Sequence, residues 1–513
     1  MNYADLFSMT LPETALEIAA LVVLVVDLGF LRKAGLRTRS FVAAILGVFG
    51  CGGALVGLLA QRQGGLTAGS GELLLTAGGY SMAAQIGILA LTVLTLFLFI
   101  ETDFTHHAGE FVAVVLMAAT GGLLISAAQD LLVIFVGLEL LSLGLYILTA
   151  FAKRSEKSAE SAMKYYLFGG MSAAFLLFGF SYLYGLTGST NLHEIMMALY
   201  TSDAVNSSPL LYVALVMIAA GLGFKVAAVP FHLWAPDTYE GAPAPSAAFI
   251  ASVSKVASFA LLIGIGSAAF HVFDDTHGVY RFVVAGEGPL PRFFGFRGPW
   301  TIILVLMSVA SMVLGNLAAL AQTSVRRLLA YSAIAHAGYI LLALAYFSRT
   351  TDSANAVLYY ILTYGLTTIG AFGAVSLVER VTGSDRMDAF LGLHKRSPIL
   401  AGILLVLFLS LAGIPPLVGF WAKFNLFAAV LGVSRGVVPF TIVALAVAMS
   451  AVSLYYYLQV LKRVYVMPAV DETPIHSHQV TMGVLILIAL AVVTLGCFPA
   501  LLQGWLEGFY AIM

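Results

Sequence analysis

Charged residues are scarce in this chain. Only 10% of its 513 residues are Asp, Glu, Lys or Arg, whereas a soluble domain carries about 25%. Apolar residues make up 60% of the chain, and the mean hydropathy is +0.98. No soluble fold buries this much apolar surface, so the composition indicates a polytopic membrane protein.

Cysteine and a strong net charge are also missing. Cys51 and Cys497 both lie in apolar runs, and their spacing fits neither a metal site nor a disulfide framework, so we interpret them as small hydrophobic residues. The net charge of -1, without a basic patch, argues against a nucleic-acid partner. Glu13 and Glu17 precede the first apolar run, where a secretory signal has basic residues, and we expect no cleavable signal.

The apolar runs are long and do not alternate in polarity, which excludes an outer-membrane barrel. We predict an all-α polytopic membrane protein without a soluble domain. Its longest connections lie near 188–208 and 270–299. The sequence gives about 14 transmembrane helices, at 11–31, 41–60, 80–100, 110–129, 130–151, 163–187, 209–229, 244–269, 300–321, 327–347, 354–379, 398–430, 437–461 and 480–503.

Basic residues in the loops predict the topology. Cytoplasmic loops carry an excess of Lys and Arg. With the N-terminus outside, fifteen of the 25 basic residues fall in loops assigned to the cytoplasm and six in loops assigned to the other side. We therefore expect both termini to face outward.

The other four basic residues are lysines inside predicted spans: Lys164, Lys225, Lys255 and Lys423. Glu139, in GLELLSLGLY, is a carboxylate in a similar position. A charge at the bilayer centre costs about 2.5–3.5 kcal/mol, so such residues usually mark pathways or paired sites. The pKa of lysine shifts readily on burial, whereas arginine stays protonated. The set favours a proton path, and structural ion pairs are the alternative.

Prolines interrupt two of the spans that carry these lysines. Pro230 cannot donate to the carbonyl of Val226, so the seventh helix should open one turn beyond Lys225. Pro415 and Pro416 break the twelfth helix in the same way, with Lys423 nearby. Carbonyls freed inside a membrane need polar partners or a water-lined cavity. We predict discontinuous helices 7 and 12.

The two breaks lie five spans apart, which predicts two inverted five-helix repeats. We divide the chain into four parts. They are an N-terminal three-helix segment (1–109), a first antiporter-like repeat of helices 4–8 (110–269), a second, inverted repeat of helices 9–13 (300–461) and a C-terminal helix (480–513).

Several polar residues have two interpretations at this stage. Lys164 either loads the proton path or extends to the cytoplasmic surface. His336 in the tenth span and His232 just past the Pro230 break are either proton relays or satisfied local groups. Three serines near Lys255 either bind water or pack between helices; they are Ser252, Ser254 and Ser258.

Three stretches resemble one known family. VPFHLWAPDTYEGAPAPSAAFIASVSKVA, GLELLSLGLYIL and GIPPLVGFWAKF are similar to subunit N of bacterial NADH-quinone oxidoreductase, respiratory complex I, whose mitochondrial counterpart is subunit 2. This antiporter-like family shares its fold with two sister subunits and with Mrp-type cation/proton antiporters. Those relatives usually show Trp before the fifth-span Glu and PLHTWLPDA at the seventh-span break. Here GLEL and PFHLWAPDT favour subunit N.

The resemblance implies a function and its residues. The chain would be a proton-translocating subunit of an enzyme complex, a translocase in the bacterial inner (plasma) membrane. NADH, FMN, iron–sulfur clusters and quinone would bind in partner subunits, and this chain would bind no cofactor or metal. Its partners would be the lipid bilayer and other complex I membrane subunits, including antiporter-like sisters and small subunits. The residues implied are Glu139, Lys164, Lys225, His232, Lys255, His336 and Lys423.

Two rival functions remain at this stage. One is a subunit of a Na⁺/H⁺ or K⁺/H⁺ antiporter without redox coupling. The other is a structural membrane-arm subunit whose buried charges only fix helix packing. A photosynthetic relative that uses ferredoxin is an alternative for the electron donor.

Overall fold

The computed structural model describes residues 7–63, 74–76, 79–202, 205, 208–275, 294–347, 351–433, 436–469, 475 and 479–510. These residues form helices, turns and a few isolated β-bridges, and no strand. The predicted all-α fold is therefore confirmed. Part of the predicted 270–299 connection, residues 276–293, lies outside the described residues.

The described residues contain nineteen α-helices. The first ten are α1 Leu11–Val25, α2 Leu36–Gln63, α3 Gly79–Phe99, α4 Ala108–Ala127, α5 Leu131–Thr149, α6 Glu156–Thr187, α7 Leu192–Thr201, α8 Pro209–Val226, α9 Trp234–Gly241 and α10 Ala244–Asp275. The next nine are α11 Phe294–Leu320, α12 Val325–Ala345, α13 Thr351–Thr382, α14 Leu393–Arg396, α15 Pro398–Ala412, α16 Val418–Val433, α17 Val437–Tyr465, α18 Gln479–Cys497 and α19 Ala500–Tyr510.

Twelve helices in the described part of the chain are long and apolar enough to cross a membrane, so the chain is a multi-pass membrane protein. Two predicted spans are built differently from the rest. The first is α1 continued by a π-helical turn, Val26–Phe30. The twelfth is divided between two shorter apolar helices, α15 and α16. The total of fourteen spans stays a prediction.

Some boundaries differ from the predicted ones for local reasons. Helix α6 begins at Glu156, before the predicted start, because the Ser155 side chain accepts a hydrogen bond from the Ser158 amide and caps the helix. The last predicted span, 480–503, is interrupted at Phe498 and Pro499, and α19 begins at Ala500. Helices α7 and α9 lie in segments where the sequence predicted only connections.

The most buried helices occupy the centre of the fold. Helices α10, α12 and α13 are almost wholly enclosed by the rest of the chain, whereas most residues of α6 and α17 are not buried. Helix α10 packs against α3 and α13. Helix α9 packs between α6 and α12. The centre is therefore where lysines and histidines can be kept away from lipid.

Two of the site-bearing helices begin in the same way. Asp130 caps α5 and forms an isolated β-bridge with Asn191, just after α6. Ser324 caps α12, and it forms the corresponding bridge with Arg386, just after α13. Side-chain caps of this kind fix where a helix begins. They therefore set the depth of Glu139 on α5 and of His336 on α12.

Both proline-containing spans are broken. Helix α8 ends at Val226, earlier than predicted, because Ala227 adopts a left-handed conformation with φ 55°. Helix α15 ends at Ala412, where Gly413 has φ 89°. A positive φ ends a helix because the next amide turns away from its axis. Lys225 is thus the second-last residue of its helix.

Gly413→Ala should destabilise the fold. Alanine at a positive φ costs about 1–2 kcal/mol. The added Cβ would also lie only 3.0 Å from Lys423 Cδ and 3.2 Å from its Nζ. We expect a lower thermal unfolding midpoint for the purified protein in detergent. Gly402→Ala is the matched control, because Gly402 lies within α15 and a Cβ there meets no atom within 4 Å. Equal midpoints for the two variants would contradict this interpretation of the break.

Candidate functional site

Lys225 is buried at the end of α8 and faces α5. Its Nζ donates a hydrogen bond of 2.6 Å to Ser142 Oγ. The carboxylate of Glu139, one turn earlier on α5, lies 3.8 Å from the same nitrogen. Ser142 Oγ in turn donates to the carbonyl of Leu138. The ammonium group thus has one close neutral acceptor and one more distant charged partner.

Lys255 is buried on α10 and binds the end of α8. Its Nζ donates to the carbonyl of Val226 and lies 5.9 Å from the centre of the Trp234 ring. Val226 is the residue whose carbonyl was expected to lose its partner because of Pro230. The break therefore joins Lys255 to the helix turn that carries Lys225.

Lys423 donates hydrogen bonds to the carbonyls left free at the second break. Its Nζ donates to two carbonyls at the end of α15 and to one serine on α17, and these acceptors are Leu411 O at 3.1 Å, Ala412 O at 2.8 Å and Ser450 Oγ at 2.8 Å. The last carbonyls of a helix carry partial negative charge, which suits an ammonium group. Each proline break is thus occupied by a lysine, although Lys255 comes from another helix and Lys423 from the far side of its own break.

His336 lies in a group of aromatic side chains close to Lys423. Its Nδ1 is 2.7 Å from Tyr360 Oη. The ring of Tyr339 is adjacent to both basic groups, with its centre 5.8 Å from that of the imidazole and 5.5 Å from Lys423 Nζ. Asn316 donates to Tyr339 Oη at 3.1 Å. The second half of the chain thus brings His336 and Lys423 beside the same tyrosine, Tyr339.

Several buried polar atoms have no hydrogen-bond partner among the described residues. They include His336 Nε2, His232 Nδ1, Ser258 Oγ, Tyr239 Oη and Thr368 Oγ1. Buried polar atoms in proteins are nearly always hydrogen-bonded, to protein or to ordered water. His232 lies in the segment between α8 and α9, and Ser258 lies one turn after Lys255. These atoms make the centre of the chain a suitable place for internal water.

Lys164 belongs to a different group of charges. Its Nζ is 2.7 Å from Glu160 and 2.8 Å from Asp237, which lies on α9. The other oxygen of Asp237 is 2.6 Å from Arg327 Nη1. Burial raises the pKa of Asp237, but hydrogen bonds from Lys164 and Arg327 outweigh burial and hold it below its ordinary value. The structure does not bring Lys164 into contact with Lys225.

The sequence alone predicts no role for Ser142, Tyr360 or Asp237. Ser142 follows Glu139 by three residues, so helical spacing placed both on one face of α5. Asp237 lies inside the quoted PFHLWAPDT stretch. Tyr360 had no signal beyond its place in an apolar helix. Among the described residues, no three His, Cys, Asp or Glu side chains form a group that could hold a metal ion.

Comparisons with known proteins agree with one another. The sequence model of the family described as NADH:quinone oxidoreductase/Mrp antiporter, TM, matches residues 128–285 and 289–452. NADH-quinone oxidoreductase subunit N 2 of Acidobacterium capsulatum is 46% identical over 518 residues, which cover 99% of each chain. A chain of respiratory complex I from Thermus thermophilus with bound aureothin is 32% identical, with a TM-score of 0.75 over 96% of this chain and 98% of that one. A chain of the Mrp complex from Dietzia sp. has a TM-score of 0.75 at 20% identity, covering 96% of this chain and 95% of that chain.

The fold and its buried lysines therefore define an antiporter-like membrane subunit. The chain belongs to the NADH:quinone oxidoreductase/Mrp antiporter family, and within it to subunit N of NADH-quinone oxidoreductase.

Ser142→Ala should lower the stability of the protein. The substitution removes the acceptor of a buried ammonium group, and we expect the loss to cost about 1–3 kcal/mol. The measurement is the thermal unfolding midpoint in detergent. Ser126→Ala is the control, because Ser126 Oγ is buried and donates only to the Leu123 carbonyl of its own helix. If both variants lose the same stability, the bond from Lys225 contributes nothing specific.

Proposed function

We propose that this chain is a proton-translocating membrane subunit of an NADH-quinone oxidoreductase. The observation that carries the proposal is the buried Lys225 ammonium, 3.8 Å from the Glu139 carboxylate, in a chain whose subunit N relative matches it from end to end. A charge pair inside a membrane is costly, so it usually marks a function or a strong structural need.

The architecture that we propose has fourteen spans and two inverted five-helix repeats. The similar starts of α5 and α12, each capped and bridged to the segment after the following helix, support this division. Ser142 and His336 each lie twelve residues after the capping residue. Lysines at both breaks, near Val226 and Ala412, give the two halves a further likeness.

The central step is a change in the separation of Glu139 and Lys225. At 4 Å and an effective dielectric constant near 20, two unit charges attract by about 4 kcal/mol. When Glu139 is close, it stabilises the ammonium form of Lys225. When Glu139 moves away, burial favours the neutral amine and a proton leaves. Glu139 is 27% exposed at the surface of this chain, so a neighbouring subunit can contact it.

The released proton passes from Lys225 to Lys255 by water and along the end of α8. It continues through His336 to Lys423 and leaves on the outer side. Tyr339 lies beside both His336 and Lys423. The Nε2 of His336 has no hydrogen-bond partner among the described residues, so it can exchange a proton. His232, between α8 and α9, and Lys164, near Asp237, serve the entry to this path.

Partner subunits supply the driving reaction. Moving one charge outward against 100 mV costs about 2.3 kcal/mol. We place NADH, FMN, the iron–sulfur clusters and quinone in partner subunits of the same complex, and no redox centre in this chain. Antiporter-like sister subunits and small membrane subunits transmit the effect of quinone reduction. The complex lies in the bacterial inner membrane, and both termini of this chain face the periplasm.

An antiporter subunit without redox coupling fits less well. The similarity to the Mrp chain at 20% identity shows the fold alone. The subunit N relative, at 46% identity over 99% of both chains, carries the name of an oxidoreductase subunit. That difference favours redox coupling.

Lys225→Ala should reduce proton uptake and coupled NADH oxidation together, because the pair with Glu139 is lost. We would measure NADH-driven quinone reduction and proton uptake in native membrane vesicles after confirming assembly. Lys153→Ala is the control, since Lys153 is an exposed loop lysine.

Three outcomes are informative. Loss of both rates in the assembled Lys225→Ala complex, with Lys153→Ala normal, supports the proposal. Normal rates in both variants would show that Lys225 has only a structural role. Proton uptake that continues in the absence of NADH oxidation and quinone reduction would contradict the redox coupling and favour the antiporter.

A further inference from the structure

A network of ion pairs joins the two halves of the chain beside α9. Three charged residues of α6 (Lys157, Glu160 and Lys164) and two of α9 (Asp237 and Glu240) come from the first half. Two arginines of α12 (Arg326 and Arg327) and Glu379 of α13 come from the second half. The proton path proposed above uses only Lys164 from this set.

Arg327 is the member that connects the halves most closely. Its Nη1 lies 2.6 Å from Asp237 Oδ1 and 2.9 Å from Glu240 Oε2. One nitrogen thus holds two carboxylates of α9. Charge-assisted hydrogen bonds are the strong ones in proteins. Arg326, the preceding residue, donates to the carbonyl of Ala242 just beyond α9. The start of α12 therefore contacts α9 at Asp237 and Glu240, and also the residue that follows the helix.

Helix α9 is the direct continuation of the broken helix. Only residues 227–233 separate it from α8, which carries Lys225. Trp234, the first residue of α9, donates to the carbonyl of Phe224 at 2.9 Å. The same indole lies 5.9 Å from Lys255 Nζ. A displacement of α9 would therefore move the groups around both lysines.

We propose that Arg327 is a positioning residue for Lys225, acting through Asp237 and α9. It fixes the segment after the break against the second half of the chain. This inference rests on the proposed function and deepens it. Asp237 is shared between Arg327 and Lys164, so α9 is held by α12 on one side and by α6 on the other. The position of Lys225 relative to Glu139 depends on that balance.

The test replaces Arg327 in the assembled complex in native membrane vesicles. Arg327→Gln removes the charge, and we expect coupled proton uptake to fall about tenfold. Arg327→Lys should restore most of the uptake, because both carboxylates are held by a single nitrogen that an ammonium group can replace. Arg154→Gln is the matched control, because Arg154 is an exposed arginine in the loop between α5 and α6.

A second comparison separates positioning from general stability. If Arg327 and Lys164 act through the same carboxylate, Asp237→Asn should reproduce the loss, and adding Lys164→Gln to Arg327→Gln should lower uptake less than the product of the single effects. The amount of assembled complex and its thermal midpoint are recorded for every variant.

The outcomes distinguish this inference from the function beneath it. Normal uptake in Arg327→Gln, with uptake lost in Lys225→Ala, overturns the role of Arg327 and leaves the proton path intact. Normal uptake in Lys225→Ala overturns the path itself. A failure of Arg327→Lys to restore uptake in a fully assembled complex would also contradict the positioning role.

Discussion

An ammonium group buried among apolar helices must be surrounded by oxygen atoms, and this constraint organises the whole fold. Lys225, Lys255 and Lys423 are each almost fully enclosed by the chain. The oxygens come from Ser142, from Ser450 and from backbone carbonyls at helix ends. In an intact helix the backbone carbonyls accept hydrogen bonds from amides of the same helix. A chain that buries lysines against backbone carbonyls therefore needs interrupted helices.

The proline breaks meet this need and have a second consequence. A helix end can change its conformation more easily than a continuous helix, because few hydrogen bonds cross the break. Under the proposed function, the breaks place the lysines at the points where the fold responds to a neighbouring subunit. Helix α9 and the arginines of α12 limit that response on one side, and α5 with Glu139 lies on the other. In our proposal, proton transfer and helix movement act on the same short segment.

The sequence was enough to predict the helical class, both breaks and the burial of Lys225, Lys255 and Lys423, because each depends on local chemistry: apolar length, a rare charge, and a proline that cannot donate. The fourth lysine, Lys164, is 42% exposed. The sequence was not enough to identify the partners of those lysines. Ser142 is nearer to Lys225 than Glu139 is, and Lys423 bends back to its own break. Such contacts depend on how distant helices pack. The pairing of Asp237 with Arg327, across ninety residues, is of the same kind.

The central claim is that Lys225 gives up its proton during turnover, and Lys225→Arg in reconstituted complex tests it most directly. Arginine keeps the positive charge beside Glu139 but does not release its proton in proteins. The measurement is the number of protons taken up per NADH oxidised in proteoliposomes, with assembly verified. The account predicts that coupled uptake is lost although the charge pair is retained. Normal uptake with arginine at this position would show that the charge alone suffices, and it would contradict the account.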